Sequence, residues 1–459
     1  MSPRTASAAL LLGAAAAAIG GLWVVIAAPT GVWLGGWIVT DATSRLFVAL
    51  VNLLFLGIAA HVVNAGLIDE DVDRLPERLT WLGLPFLLAC DLAILADSPI
   101  VSWAGLELGT LAIAPLIASG RPDRIAGSFQ YFLFSSVGLA MVLLGLSWIH
   151  LGAGDRPFGW TALGADPPSG DAVRIGLFLV LAGYGAKLGL FPLNTWLPVA
   201  YATAPAPIAA LLGAVQFNAA LAGLLRVVEV FHGVAPTLIT TFLVWIGLAS
   251  MAVSTLGIVT TRDYLRLLGY GSINHAGVIA VGLGLGAPAS YGVLVYLVSN
   301  AFIKAILFLA AGKVHATFHT TDARRIRGLV KLLPYNGLML MVGTFALLGL
   351  PPFGSFLGEL LVVSAVVESG RLELLFPFCV LLVVSFVATG RTLFPMIWGE
   401  PDASTVRGRE RLTVAVPKLV FLGGLVALGL YVPAPVNAVL RDVASTLGSE
   451  ASSPGPVAP

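Results

Sequence analysis

From residue 7 to about residue 433 the chain alternates long apolar runs with short polar breaks. An apolar run of about twenty residues, coiled as a helix, crosses the ~30 Å hydrocarbon layer of a bilayer. Thirteen such spans are predicted, at 7–28, 43–65, 79–97, 99–118, 127–150, 173–192, 205–231, 237–259, 265–287, 291–312, 331–369, 372–398 and 416–433. The run at 331–369 is too long for one helix and holds Pro351-Pro352 in its middle, so it is predicted to be broken. The pattern therefore predicts an all-α polytopic membrane protein without a soluble domain. The Ser- and Pro-rich tail after Gly448 is predicted to be disordered.

Composition agrees. Of the 459 residues, 58% are hydrophobic and 11% charged, whereas a soluble domain carries roughly 25% charged residues. At the N-terminus, Arg4 and a long Ala/Leu/Val run could form a cleaved signal peptide. The run continues to about Ala28, longer than a typical signal core, and further spans follow, so it is read as an uncleaved first span. The net charge of +1 points to no nucleic-acid partner. Cys90 and Cys379 stand alone in apolar segments and form no CxxC or CxxCH pattern. No cofactor is expected on this chain, and any redox chemistry is assigned to partner chains.

Loop charges orient the bundle. Arg121, Arg124, Arg262, Arg266, Lys313, Arg324, Arg325, Arg327, Lys331, Arg407, Arg409 and Arg411 all fall on one side of the thirteen-span arrangement. The other side carries Asp155, Asp166 and Asp171 with few cations. The positive-inside rule makes the basic side cytoplasmic and places the N-terminus there. The loop from Asp69 to Arg78 is mixed in sign and favours neither orientation.

Two segments interrupt the helical pattern alike. One is Lys187-Leu-Gly-Leu-Phe-Pro192, followed by Trp196-Leu-Pro198; the other is Gly349-Leu-Pro-Pro-Phe-Gly354, followed by Glu359. Proline removes a backbone donor and collides with the preceding turn. In lipid the freed carbonyls need protein or water, so unwound backbone is expected to be buried in protein. Paired interruptions in the two halves of a transporter-like chain point to an ion path. Taken alone they are equally well two kinks without function.

An ionised group near the bilayer centre costs several kcal/mol unless it is paired or hydrated. Glu107, Lys187, His275, Lys304 and Glu359 each lie inside an apolar segment. Each has an ordinary structural explanation: a lysine near a span end snorkels, a lone buried histidine packs and hydrogen-bonds, a Glu–Lys pair holds helices together. The set favours function, because a buried lysine is switched by moving a carboxylate toward or away from it. Glu107 and Lys187 are expected to face each other across adjacent helices. Asn300 lies one turn before Lys304 on the same face. Asp91 is a sixth charge in an apolar run, as readily structural as functional. No nucleophile–base pair, metal-ligand spacing or phosphate-binding glycine loop is present, so no catalytic site is expected.

These residues resemble a known family. Lys187-Leu-Gly-Leu-Phe-Pro-Leu-Asn-Thr-Trp-Leu-Pro198, Ala204-Pro-Ala-Pro-Ile-Ala-Ala-Leu-Leu-Gly213, Arg262-Asp-Tyr-Leu-Arg-Leu-Leu-Gly-Tyr-Gly-Ser-Ile-Asn-His275, Asn300-Ala-Phe-Ile-Lys-Ala-Ile-Leu-Phe-Leu-Ala-Ala-Gly312 and Gly349-Leu-Pro-Pro-Phe-Gly-Ser-Phe-Leu-Gly-Glu359 are similar to the motifs of antiporter-like subunits of complex I, Mrp antiporters and membrane-bound hydrogenases. The resemblance runs from about Leu46 to Trp398 and is nearest to the hydrogenase-4 component F type. It implies two inverted five-helix repeats, each with a broken helix. The corresponding division is N-terminal helices at 1–78, a first repeat at 79–231, a second at 232–398, and a C-terminal helix and tail at 399–459. It also implies that Glu107 partners Lys187, that His275 and Lys304 form a central relay, and that Glu359 serves the second break. The chain departs from the pattern at Asn218, where many members have lysine, at Val199 and Tyr201, and at Asn300, where histidine is usual. Asparagine orients water but takes up no proton at physiological pH.

The resemblance implies a proton-translocating subunit in the bacterial-type inner membrane. Its partners would be other membrane subunits and peripheral redox subunits of hydrogenase or quinone-reductase type. The rival readings are a component of a Mrp-type Na+/H+ antiporter or inorganic-carbon uptake complex, and a non-conducting scaffold.

Overall fold

The computed structural model describes residues 2–66, 75–401 and 408–448. Asp69 and its acidic neighbours, Arg407 and the tail after Gly448 lie outside the described residues. Helices follow the apolar runs: α1 (Pro3–Ile26), α2 (Ala42–Gly66), α3 (Leu84–Leu95), α4 (Pro99–Ala118), α5 (Ile125–Ala153), α6 (Asp171–Leu188), α7 (Trp196–Thr203), α8 (Phe217–Phe231), α9 (Pro236–Thr260), α10 (Tyr264–Leu285), α11 (Ala287–Phe318), α12 (Pro334–Leu347), α13 (Gly354–Glu368), α14 (Leu372–Trp398), α15 (Leu412–Leu430) and α16 (Ala434–Gly448). Wide π turns lead into α3 at Leu79–Gly83 and into α8 at Leu211–Gln216. Among the described residues, eleven helical segments are long and apolar enough to cross a membrane. The two expected spans missing from those eleven are the interrupted ones, α6 and the α12–α13 pair.

Elements outside the predicted spans include a hairpin and a C-terminal helix. An antiparallel hairpin, β1 (Gly31–Trp33) with β2 (Ile38–Thr40), is too short to show an alternating pattern. Helix α16 carries Asn437, Arg441, Asp442 and Thr446 among its apolar positions, so it escapes a search for apolar runs. It buries Leu440, Val443 and Leu447.

Helices α8 and α11 are enclosed on all sides, and α10 nearly so. The outer helices α1 and α14 instead expose Leu12, Ile19, Trp23, Phe376, Val383 and Val387. That apolar exterior suits lipid, not water. Glycine pairs bring backbones close in each half. A methyl group at Gly145 on α5 would stand 2.6 Å from the Gly176 carbonyl oxygen of α6, and one at Gly247 on α9 would stand 2.7 Å from that of Gly277 on α10. Small residues permit such approach where dispersion and close packing drive association.

The basic loops gather at one end of the bundle. Ala323 N–H donates to the Arg262 carbonyl at 2.9 Å, Gly408 N–H to the Leu332 carbonyl at 3.1 Å, and Lys331 pairs with Glu400 at 2.9 Å. At the opposite end, Arg226 of α8 is buried and pairs with Asp41, just before α2, at 2.7 Å. Burial opposes the Asp41 charge, but Arg226 and the hydrogen bonds from Arg226 and Ser44 outweigh it and hold this carboxyl below the ordinary carboxylate value. The stabilisation is therefore complete above the ordinary carboxylate range and is lost as pH falls through the depressed value. Asp41→Asn is expected to cost roughly 2–3 kcal/mol, less than the ~3–5 of a wholly buried pair because Asp41 is partly exposed. Thermal unfolding of the purified protein at pH 7 would show a lowered midpoint, and the difference from the unaltered chain would shrink under acid.

Candidate functional site

Both interruptions are built the same way. Helix α6 stops at Leu188, one residue past Lys187, and Gly189 turns left-handed with φ +77°; α12 stops at Leu347 and Gly349 turns left-handed with φ +63°. Only glycine adopts such angles without strain. At Gly349 a second constraint acts, since the Glu359 carboxylate lies directly against its Cα and leaves no room for a side chain. The Phe191–Pro192 and Pro351–Pro352 peptide bonds are both cis.

The loosened carbonyls find donors from just beyond each break. The Trp196 indole N–H donates to the Ala186 carbonyl at 3.1 Å, and the Ser355 hydroxyl to the Ala346 carbonyl at 2.7 Å. The side chains of Pro192, Pro351 and Pro352 are exposed on the surface of the chain. The backbone at the breaks is held by protein: Phe191 N–H donates to the Ser250 hydroxyl of α9 at 2.9 Å, and the Pro352 carbonyl packs directly on Gly429 of α15, where a side chain would have no room.

In the first half Lys187 is buried, and its Nζ donates to Thr110 Oγ1 of α4 at 2.5 Å and to Ser135 Oγ of α5 at 2.9 Å. Glu107 lies one turn before Thr110 on α4. It accepts a 2.7 Å hydrogen bond from Ser136 of α5, while its Oε2 is buried without a hydrogen bond. No direct Glu107–Lys187 ion pair forms among the described residues. The two charges take adjacent serines of α5, which stands between α4 and α6. Tyr131 of α5 lies 3.4 Å from Lys187 Nζ and donates to Gln216 Oε1 at 2.5 Å. Gln216 closes the π turn that leads into α8, and the next residue, Phe217, presents its ring face to Lys304 Nζ, 3.5 Å from the centroid. Two consecutive residues thus touch the surroundings of both lysines.

In the second half Lys304 is buried and its Nζ makes no hydrogen bond among the described residues. One turn earlier, Asn300 places Oδ1 3.0 Å from His275 Nδ1, and His275 Nε2 lies 3.0 Å from the Leu347 carbonyl at the end of α12. A carbonyl only accepts, so Nε2 carries a proton. A neutral ring then needs the NH2 of Asn300 at Nδ1, and a charged ring needs its oxygen. The carboxamide orientation follows the charge of the ring. The His275 ring lies 5.2 Å from that of Tyr296, whose hydroxyl donates to Glu359 Oε1 at 3.0 Å. His275, Asn274, Glu359, Ser385 and Thr389 reach into an otherwise apolar cavity of about 320 Å³, roomy enough for water to bridge them.

Of the residues singled out in the sequence, Glu107 and Lys187 belong to the first cluster, and Lys304, Asn300, His275 and Glu359 to the second. Asn218 donates to the Ala214 carbonyl of its own helix at 2.6 Å and joins neither. Asp91 accepts from Asn52 of α2 at 2.8 Å, apart from both clusters. Sequence reasoning passed over Thr110, Tyr131, Ser135, Ser136, Gln216, Phe217 and Tyr296. It also missed Lys418 of α15, fully buried, which donates to Asn336 Oδ1 at 2.6 Å. Its place near the start of an apolar run matches a snorkelling lysine. A glutamine inside a wholly apolar span was the one signal available for Gln216.

Comparison with known proteins agrees with this arrangement. Residues 96–385 match the family model described as NADH:quinone oxidoreductase/Mrp antiporter, transmembrane. NADH-quinone oxidoreductase subunit N 1 of Solidesulfovibrio magneticus is 32% identical over 424 residues, covering 90% of this chain and 88% of that protein. A hydrogenase-4 component F homolog of Methylacidiphilum infernorum is 29% identical over 419 residues, covering 87% and 86%. A chain in the structure of the Mrp complex from Dietzia sp. DQ12-45-1b superposes with a TM-score of 0.83 at 22% identity, covering 97% of this chain and 92% of that one, a likeness of fold. The helical bundle with its two interruptions and intramembrane charges defines an antiporter-like membrane protein. The chain belongs to the NADH:quinone oxidoreductase/Mrp antiporter transmembrane family.

Proposed function

We propose that this chain is a proton-translocating membrane subunit of a multi-subunit oxidoreductase of complex I or membrane-bound hydrogenase type. Redox chemistry in partner subunits would drive it. The observation that carries the reading is the row of polar side chains from Glu107 through Ser136 and Ser135, Lys187, Tyr131 and Gln216, then across the Phe217 ring to Lys304, Asn300, His275, Tyr296 and Glu359, joined in part by hydrogen bonds and in part by ring contacts. Isolated charges in lipid are costly, whereas a row of them with hydroxyls and amides between forms a route for protons. In this reading Lys187 and Lys304 hold charge, His275 passes it, and Glu107 and Glu359 modulate it at the two ends. Thirteen crossings and two inverted five-helix repeats accommodate the interrupted segments. The basic end faces the cytoplasm of a bacterial inner membrane, and the N-terminus lies there.

The family description also names Mrp antiporters, so transport without a redox partner is the second reading. Purification of the natural complex in mild detergent separates the two. Co-purifying hydrogenase- or quinone-reductase-type chains, with substrate-driven proton uptake after reconstitution, are expected. Co-purification with antiporter subunits alone, and uptake driven by a sodium gradient, would move the second reading to first place. Assembly without any proton movement would leave a scaffold.

A further inference from the structure

Two buried nitrogens of α11, Asn300 Nδ2 and Lys304 Nζ, make no hydrogen bond among the described residues, and their residues stand one helical turn apart. Both residues are 2% exposed or less. Helical side chains lean back over the preceding turn, so Lys304 leans over Asn300. Its amine rests on the Phe217 ring, and rotation of its flexible stem carries it to the carboxamide. On the other side the carboxamide oxygen lies 3.0 Å from His275 Nδ1, and Nε2 of that ring is committed to the Leu347 carbonyl. An amide has one accepting end and one donating end. With the oxygen toward the ring, Nδ1–H of a charged His275 donates to it, and Nδ2 donates to an uncharged Lys304 amine. With the carboxamide turned by half a circle, Nδ2 donates to a neutral ring and the oxygen accepts from a charged Lys304. Either arrangement pairs every one of these groups. With both neighbours charged, two donors compete for one oxygen; with both neutral, one lone pair goes without a donor. A buried polar group left unpaired is costly.

We propose that Asn300 is a positioning residue that lets only one of its two neighbours, His275 and Lys304, carry a proton at a time. The amide takes up no proton itself. Passing the proton breaks the Nδ1–H bond of His275 and forms an N–H bond at Lys304 Nζ, so charge is conserved while the carboxamide turns. The other titratable groups near the ring are Tyr296 of α11 and Glu359 of α13, which hydrogen-bond to each other. Helix α12 offers the ring only the Leu347 carbonyl, and α14 only Ser385 and Thr389 across the cavity. All of these remain in the variants below, so their influence on the ring cancels. The inference rests on the proton-path reading for its purpose, yet its test counts charge on one ring and needs no proton movement. A chain that moves no protons can pass it, and one that pumps can fail it.

The experiment uses the full chain in lipid bilayers, with the rings of its six histidines labelled with nitrogen-15. His275→Gln identifies the signals of His275. The ring nitrogen shifts give the ratio of charged to neutral His275 at a pH where both forms are seen. Lys304→Met frees the amide oxygen for the ring and is expected to raise that ratio about tenfold, the weight of one hydrogen bond to a charged group. In an Asn300→Leu chain, adding Lys304→Met should change the ratio by less than about twofold, because the shared acceptor is gone. Unchanged signals from the other histidines show that the fold persists; where a variant does not accumulate, Asn300→Ala or Lys304→Leu takes its place. Direct repulsion between the two charges would give the same rise with or without Asn300, and that result overturns the proposal. It is also overturned if Lys304→Met leaves the ratio unchanged with Asn300 present, or if no variant shows a charged His275 ring throughout the pH range in which the chain is stable.

Discussion

Lys187→Ala is expected to lower proton uptake by the assembled complex about a hundredfold, the typical lower range for loss of a group that takes up and releases a proton. Substrate oxidation with an artificial electron acceptor should remain near the unaltered rate, because no redox group is expected on this chain. The argument rests on how Lys187 is held. Thr110 and Ser135 fix its Nζ between α4 and α5, and Tyr131 joins it to Gln216 at the centre of the bundle. Without the amine the hydroxyls remain but nothing between them carries a proton. The fold should survive, since Thr110 also donates to its own helix at Leu106, 2.8 Å away, and replacing a buried charge by an apolar group is often neutral for stability. Lys187→Met, which preserves most of the volume, separates charge from packing and should behave as Lys187→Ala. Vesicle proton uptake measured beside redox turnover decides the matter. Full uptake in both variants, with the complex intact, would make Lys187 a structural residue.

Glu359→Gln is expected to block proton movement at the other end with a similar loss, about a hundredfold. The amide keeps the shape of the carboxylate and can still accept the hydrogen bond from Tyr296. It can also rest against Gly349, where no other residue leaves room. What it cannot do is titrate. Thermal stability should therefore stay close to that of the unaltered protein while uptake falls. An unchanged uptake rate would remove the 320 Å³ cavity beside His275 from the path. Asn218→Ala provides the contrast: Asn218 bonds only to its own helix turn among the described residues, and a small effect is expected.

Much of the candidate site was legible because the membrane makes charge conspicuous. Lys187, His275, Lys304, Glu107 and Glu359 stand out in apolar runs, and all five belong to the polar row. The row itself was not legible. Thr110 meets Lys187 across 77 positions, and Tyr131 meets Gln216 across 85. A hydroxyl in a transmembrane run usually bonds the carbonyl four residues back, as Thr110 and Ser250 also do. Nothing local distinguishes those that also face a lysine. The expected Glu107–Lys187 contact shows the same limit: opposite charges suggested a pair, and α5 placed two serines between them.

The sequence by itself determined where the chain crosses the membrane as helix and where those crossings are interrupted. A spanning segment must satisfy its backbone within itself, so apolar length sets each helix, while glycine and proline set each interruption, as at Gly189–Pro192 and Gly349–Pro352. It also determined which charges would need explaining, because their cost in lipid depends on type and depth alone. The tertiary structure decided which neighbours share that cost. It set Gln216 and Phe217 between the two lysines, buried Arg226 on Asp41 and Lys418 on Asn336, and brought the Asn300 carboxamide against the His275 ring. Those choices depend on how helices cross and rotate about their axes. Helix rotation is fixed by close packing at pairs such as Gly145 with Gly176 and Gly247 with Gly277, contacts between distant parts of the chain that no local pattern encodes.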